Sequence, residues 1–133
     1  MTTIAEMGIA RELAEDYEAV LARLPDTLKA EGFGVITEVD VTATLREKLG
    51  VEFRRYKILG ACNPAAAHRV LSLEPEIGLL LPCNVVVYDM GGGKTRVSAF
   101  DPMQMVEGQD APPEMAEVAS DIRNRMQRVV AAL

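Results

Sequence analysis

The chain has 133 residues, of which 49% are hydrophobic and 26% charged, with a net charge of −6 and two cysteines. This length predicts one domain, residues 1–133, with a core large enough to need neither disulfide nor structural metal. An acidic surface repels phosphate backbones, which argues against nucleic acid as a partner. The start, Met1 to Glu6, lacks a basic segment followed by an apolar run, and the longest apolar stretch, Ile77 to Pro82, is too short to span a bilayer. The expectation is therefore a cytoplasmic protein with no membrane partner and with reduced thiols.

Ile4 to Ala10 is a strand candidate. Leu13, Tyr17, Val20, Leu21, Leu24 and Leu28 then fall at helical spacing, with Pro25 inside the pattern. Because Leu28 stays in phase with Leu24, a kinked helix or two helices nearly in line is predicted, closed by Gly32. Phe33 to Val39 reads as strand. Asp40 caps a short helix over Thr42 to Leu49, and Phe53 to Ala61 is strand again. Asn63-Pro64 is a helix start, a capping side chain followed by proline at the first helical position, and that helix runs to Leu73, before Pro75.

Asn84 to Tyr88 and Thr95 to Phe100 are strands joined by a glycine-rich turn. Gly91-Gly92-Gly93-Lys94-Thr95 is not a phosphate-binding loop, because the glycine needed five positions before Gly93 is Tyr88 and a strand follows where a helix is required. Asp101-Pro102 starts one helical turn, a loop follows over Glu107 to Pro113, and the last helix carries the stripe Met115, Val118, Ala119, Ile122, Met126, Val129 and Leu133. The sum is an α+β fold, a mostly antiparallel sheet with packed helices.

Three blocks stand out: Glu31-Gly32-Phe33-Gly34-Val35, then Ile58-Leu59-Gly60-Ala61-Cys62-Asn63-Pro64, then the run from Gly78 to Tyr88. In this order and spacing they resemble domain of unknown function family 302, across nearly the whole chain. The resemblance implies a fold similar to the TATA-binding-protein repeat, a β-α-β(4)-α arrangement with a curved antiparallel sheet. Here it would carry inserted helices at Thr42 to Leu49 and Pro64 to Leu73. It implies no activity, and the cofactor stays unknown.

The cysteine blocks are the candidate site. Cys62 precedes a capping asparagine at the positive end of a helix, where a thiolate is favoured. If the strands bearing Cys62 and Cys83 are antiparallel neighbours, the thiols can meet. They would then form a redox pair or a site for a sulfur species or a soft metal such as copper(I) or zinc, with Asn63 and Asn84 orienting them and His68 as a third ligand if its helix face turns toward them. The competing expectation is that both cysteines are packing residues, Asn63 a cap, Asn84 a loop tie and His68 a solvated helix residue. Two functions follow: a thiol-based binding or redox module, or a non-catalytic domain that binds a small apolar ligand or pairs with a second copy to form a homodimer. Ordinary hydrolytic chemistry is disfavoured, since one histidine supports neither a serine triad nor a metal-ligand set.

Overall fold

The computed structural model describes residues 2–108 and 110–133. Among these residues five strands form one antiparallel sheet: β1 (Gly8–Leu13), β2 (Gly34–Asp40), β3 (Tyr56–Cys62), β4 (Cys83–Gly91) and β5 (Lys94–Phe100), in the order β1-β5-β4-β3-β2. Four helices accompany them: α1 (Tyr17–Ala30), α2 (Val41–Leu49), α3 (Pro64–Leu73) and α4 (Pro113–Ala132). The chain order is thus β-α-β(4)-α with α2 and α3 inserted, as expected. The loop expected over Glu107 to Pro113 includes residue 109, outside the described residues.

Strand alternation divides the sheet into two faces. Leu59 and Ala61 of β3, Cys83, Val85 and Val87 of β4, and Val97 and Ala99 of β5 face the helices and are buried. Against them α1 packs Val20, Leu24 and Leu28, while α4 packs Met115, Val118, Ala119, Ile122 and Met126. Both sets recur at three- and four-residue spacing, so each helix buries one stripe. On the opposite face Tyr56, Ile58, Val86 and Tyr88 are half-buried, and none joins that core.

Several boundaries differ from expectation, each for a local reason. Residues Ala5–Met7 form a 3-10 turn, and β1 runs from Gly8 to Leu13, so Leu13 ends a strand instead of opening a helix. Its register against β5, from Gly8↔Phe100 to Leu13↔Thr95, extends the strand beyond Ala10. Helix α1 is continuous through Pro25. β3 begins at Tyr56, not Phe53, where pairing with Tyr88 starts and Thr42 Oγ1 accepts from the Tyr56 N–H at 2.9 Å. After α3 the chain forms a 3-10 segment, Pro75–Leu80, in which Glu74 accepts from the Glu76 N–H at 2.9 Å.

One irregularity shapes the site. Between Val35 and Thr37 the β2–β3 register slips, leaving Ile36 as the extra residue of a bulge on an edge strand. Such a bulge re-aims its side chain. Ile36 is 61% exposed, at the sheet end where β3 runs into α3.

Candidate functional site

Cys62 and Cys83 lie on neighbouring antiparallel strands, the condition set for a thiol site, but they do not make one. Cys83 pairs across the ladder with Ala61, while the cross-strand partner of Cys62 is Gly34 on β2. Consecutive strand residues point to opposite faces, so Cys83 turns with Ala61 into the core and Cys62 turns away. Both cysteines are free, and Cys83 is only 6% exposed. Burial pushes its thiol up to about 11, with a smaller push in the same direction from Cys62. At neutral pH it is a protonated packing group, not a second thiolate.

His68 and Asn84 are exposed on α3 and β4. Asn84 faces Gly60 across the ladder. Among the described residues no three His, Cys, Asp or Glu side chains come together to hold a metal ion. The thiol-based redox or soft-metal reading is therefore withdrawn.

What this end of the sheet does form is an apolar pocket of about 250 Å³. Its floor is Ala61 and Cys83 at the paired ends of β3 and β4. One wall is α3, which contributes Ala66, Ala67, Val70 and Leu71; another is Val118 and Ile122 of α4, with Met105. Phe33, Ile36, Leu81 and Pro82 complete it, with Cys62 and Asn63 beside them. The peptide between Leu81 and Pro82 is cis. The cavity exists because α3 presents methyl groups, Ala66 and Ala67, where larger side chains would fill it. Ile36 and Leu71, 61% and 39% exposed, edge the opening.

Among the described residues Asn63 supplies the pocket's one amide side chain, and no charged side chain lines it. The residue caps α3: Ala66 N–H donates to Asn63 Oδ1 at 3.0 Å, and Ala67 N–H to its carbonyl at 2.9 Å. The cap that the Asn63-Pro64 pair announced is in place. The pocket itself went unread, although the run Ala65-Ala66-Ala67 at the start of a helix was a signal of missing bulk.

A second cleft of about 190 Å³ lies at the other end of β3, against Tyr17, Asp40, Arg46, Arg55 and Lys57. Two of its cations are paired with neighbouring carboxylates. Arg55 pairs with Asp89 at 2.9 Å and Asp16 at 3.1 Å and lies 5.0 Å from the centre of the Tyr17 ring; Lys57 pairs with Glu38 at 2.7 Å. The Arg55 guanidinium and the Glu18 N–H hold the Asp16 carboxyl below its usual value. Burial, then Asp40, raises the Tyr17 hydroxyl to about 12. Two of its three cations, Arg55 and Lys57, are thus held by close carboxylates, while exposed Arg46 has only a 3.7 Å contact with Glu52.

No curated protein matches the chain. Among solved structures it is similar to the crystal structure of an uncharacterised conserved DUF302 protein from Bacillus stearothermophilus. The TM-score is 0.84 and the identity 34%, over 96% of this chain and 98% of that one. Residues 9–133 match the family described as domain of unknown function DUF302, a span that holds β1 from Ile9 onward, the other four strands, the four helices and the pocket between them. The three sequence blocks, the order of elements and this match agree: the chain belongs to the DUF302 family.

Proposed function

We propose that this protein is a non-catalytic binding domain whose ligand is a small, mainly apolar molecule held in the pocket between the β3–β4 end and helices α3 and α4. The observation that carries the reading is an apolar cavity of about 250 Å³ without a charged side chain in its lining. Pockets of this composition are the common sites of small-molecule binding. An apolar cavity of about 150 Å³ accepts benzene, so this one matches a ligand of roughly ten non-hydrogen atoms. Binding of that size gives a Kd of about 0.1–1 mM for a simple probe.

The test is titration of n-propylbenzene followed by NMR shift changes in the native protein and in Ala67→Phe, which fills the cavity. The native protein binds, with shifts clustered on α3 and β3, and the variant keeps its fold but loses binding. Absence of binding to the native protein, or equal binding to both, ends this reading.

A second reading concerns partners. The open face of the sheet carries Val39, Ile58, Val86, Tyr56 and Tyr88 on adjacent strands, with the two tyrosine rings stacked at 5.2 Å. Five strands about 4.8 Å apart, each about seven residues long, give roughly 500 Å² per copy, so two copies bury about 1,000 Å², the lower bound of a specific interface. Arg96 and Glu12 at its margin pair with each other at 3.3 Å, which limits repulsion between two acidic chains. A second copy of this chain is the occupant these features favour. Sedimentation of the native protein against Val86→Lys tests it, and a monomer at all concentrations would rule it out.

A further inference from the structure

The polar groups around the pocket are engaged or turned elsewhere, and this constrains how a ligand can enter. Asn63 Oδ1 accepts from the Ala66 N–H at 3.0 Å. Asn63 Nδ2 lies 3.0 Å from where a Cβ on Gly32 would stand, and Gly32 does not line the pocket. The N–H groups of Ala66 and Ala67, on the α3 wall, both donate to Asn63, and Pro82 has none to give. The other side-chain heteroatoms in the lining are the sulfurs of Cys62, Cys83 and Met105, which are weak hydrogen-bonding partners. Among the described residues no buried side-chain nitrogen or oxygen is left without a partner. The pocket is also graded from dry to wet. Ala61 and Val70 are 1% and 2% exposed, whereas Ile36 and Leu71 at the opening are 61% and 39% exposed.

From this arrangement we infer that the ligand is an amphiphile, polar at one end only, which enters apolar end first. That end lies against Ala61 and Val70, and the polar group stays in water at the opening edged by Ile36 and Leu71. The inference rests on the reading of the cavity as a ligand site and adds the ligand's chemical class and direction. A polar atom carried to the floor gives up its water and finds no free side-chain donor or acceptor, which weakens binding about fivefold or more. The same atom at the opening keeps its hydration, while the apolar part still leaves water. A molecule with a polar group midway along its chain cannot satisfy both conditions. It either buries that group or leaves part of its chain outside. The lining thus sorts ligands by where their polar atom sits, not only by how apolar they are.

The experiment titrates the native full-length protein with two isomers, n-octanol and octan-4-ol, and with n-propylbenzene, followed by NMR. The isomers contain the same atoms and differ in where the hydroxyl sits. The n-octanol chain comes within the cavity's capacity of about ten non-hydrogen atoms, which leaves its hydroxyl at the opening. It should bind, and octan-4-ol should bind at least about fivefold more weakly. Intermolecular nuclear Overhauser contacts read the direction independently of affinity. The terminal methyl of bound n-octanol should contact the Ala61 and Val70 methyls, and its hydroxyl-bearing CH₂ the methyls of Ile36 and Leu71. If the isomers bind equally, if the hydroxyl-bearing CH₂ contacts Ala61, or if n-propylbenzene binds and n-octanol does not, the inferred class is wrong while the pocket stands as a site. If neither n-octanol nor n-propylbenzene binds, the pocket reading fails and this inference with it.

Discussion

At the scale of single residues, the thiols illustrate how neighbours decide chemistry. Cys62 and Cys83 share a residue type and a following asparagine, but one lies half-buried at the end of β3 and the other sits in the core. Raising the Cys83 thiol from 9.0 to about 11 makes it a source of pH-dependent stability. Below pH 9 the thiol is protonated whether folded or unfolded, and its contribution is fully present. Above that the unfolded chain releases its proton first, binds fewer protons than the folded chain, and stability falls until about pH 11. A shift of this size corresponds to about 2–3 kcal/mol. Urea unfolding at pH 7.5 and 10.5 should therefore show a larger loss in the native protein than in Cys83→Ala. Equal losses would contradict the assignment. Native labelling at pH 8 should likewise modify Cys83 only after unfolding.

At the scale of elements, caps hold the transitions between strand and helix. Asp16, Asp40, Asn63 and Asp101 each accept a backbone N–H two or three residues on, at the start of α1, α2, α3 and the 3-10 turn Pro102–Met105. Asp101 matters most among them, because it is 8% exposed, its N–H donates to the Met7 carbonyl at 2.9 Å, and its carboxylate pairs with Arg123 at 3.2 Å. It joins the end of β5 to the entry of β1 and to α4. Asp101→Ala should cost about 2 kcal/mol, from a lost cap and a Met103 N–H without its acceptor. Asp101→Asn keeps the cap and should cost about half as much, since the ion pair is partly solvated. Chemical denaturation separates the two, and equal costs would show that the charge, not the cap, is what matters. The cap positions at Asp40, Asn63 and Asp101 were all legible beforehand, because each precedes a helical pattern by one residue.

For the molecule as a whole, the sheet is the organising body, with helices on one face and an open apolar strip on the other. If that strip meets a second copy, the unfolding midpoint should rise with protein concentration, because dissociation accompanies unfolding. Val86→Lys should remove this dependence and leave binding of n-propylbenzene unchanged, since the pocket lies at the sheet end and not on this face. A concentration-independent midpoint in the native protein would argue for a monomer. The pocket and the strip are thus separable by experiment as well as by geometry.

The sequence alone determined the class, the order of elements and the stripes of α1 and α4, because period and capping are local properties carried by residues a few positions apart. It left open whether the strands bearing Cys62 and Cys83 are neighbours. It could not set the register that opposes Cys83 to Ala61 and Cys62 to Gly34, and a one-residue offset sends a side chain to the other face. Nor could it reveal the cavity, a volume defined by what α3, α4 and β3 leave unfilled between them. Local pattern reports which residues turn inward. Only the packed structure decides which of them meet, and where they leave space.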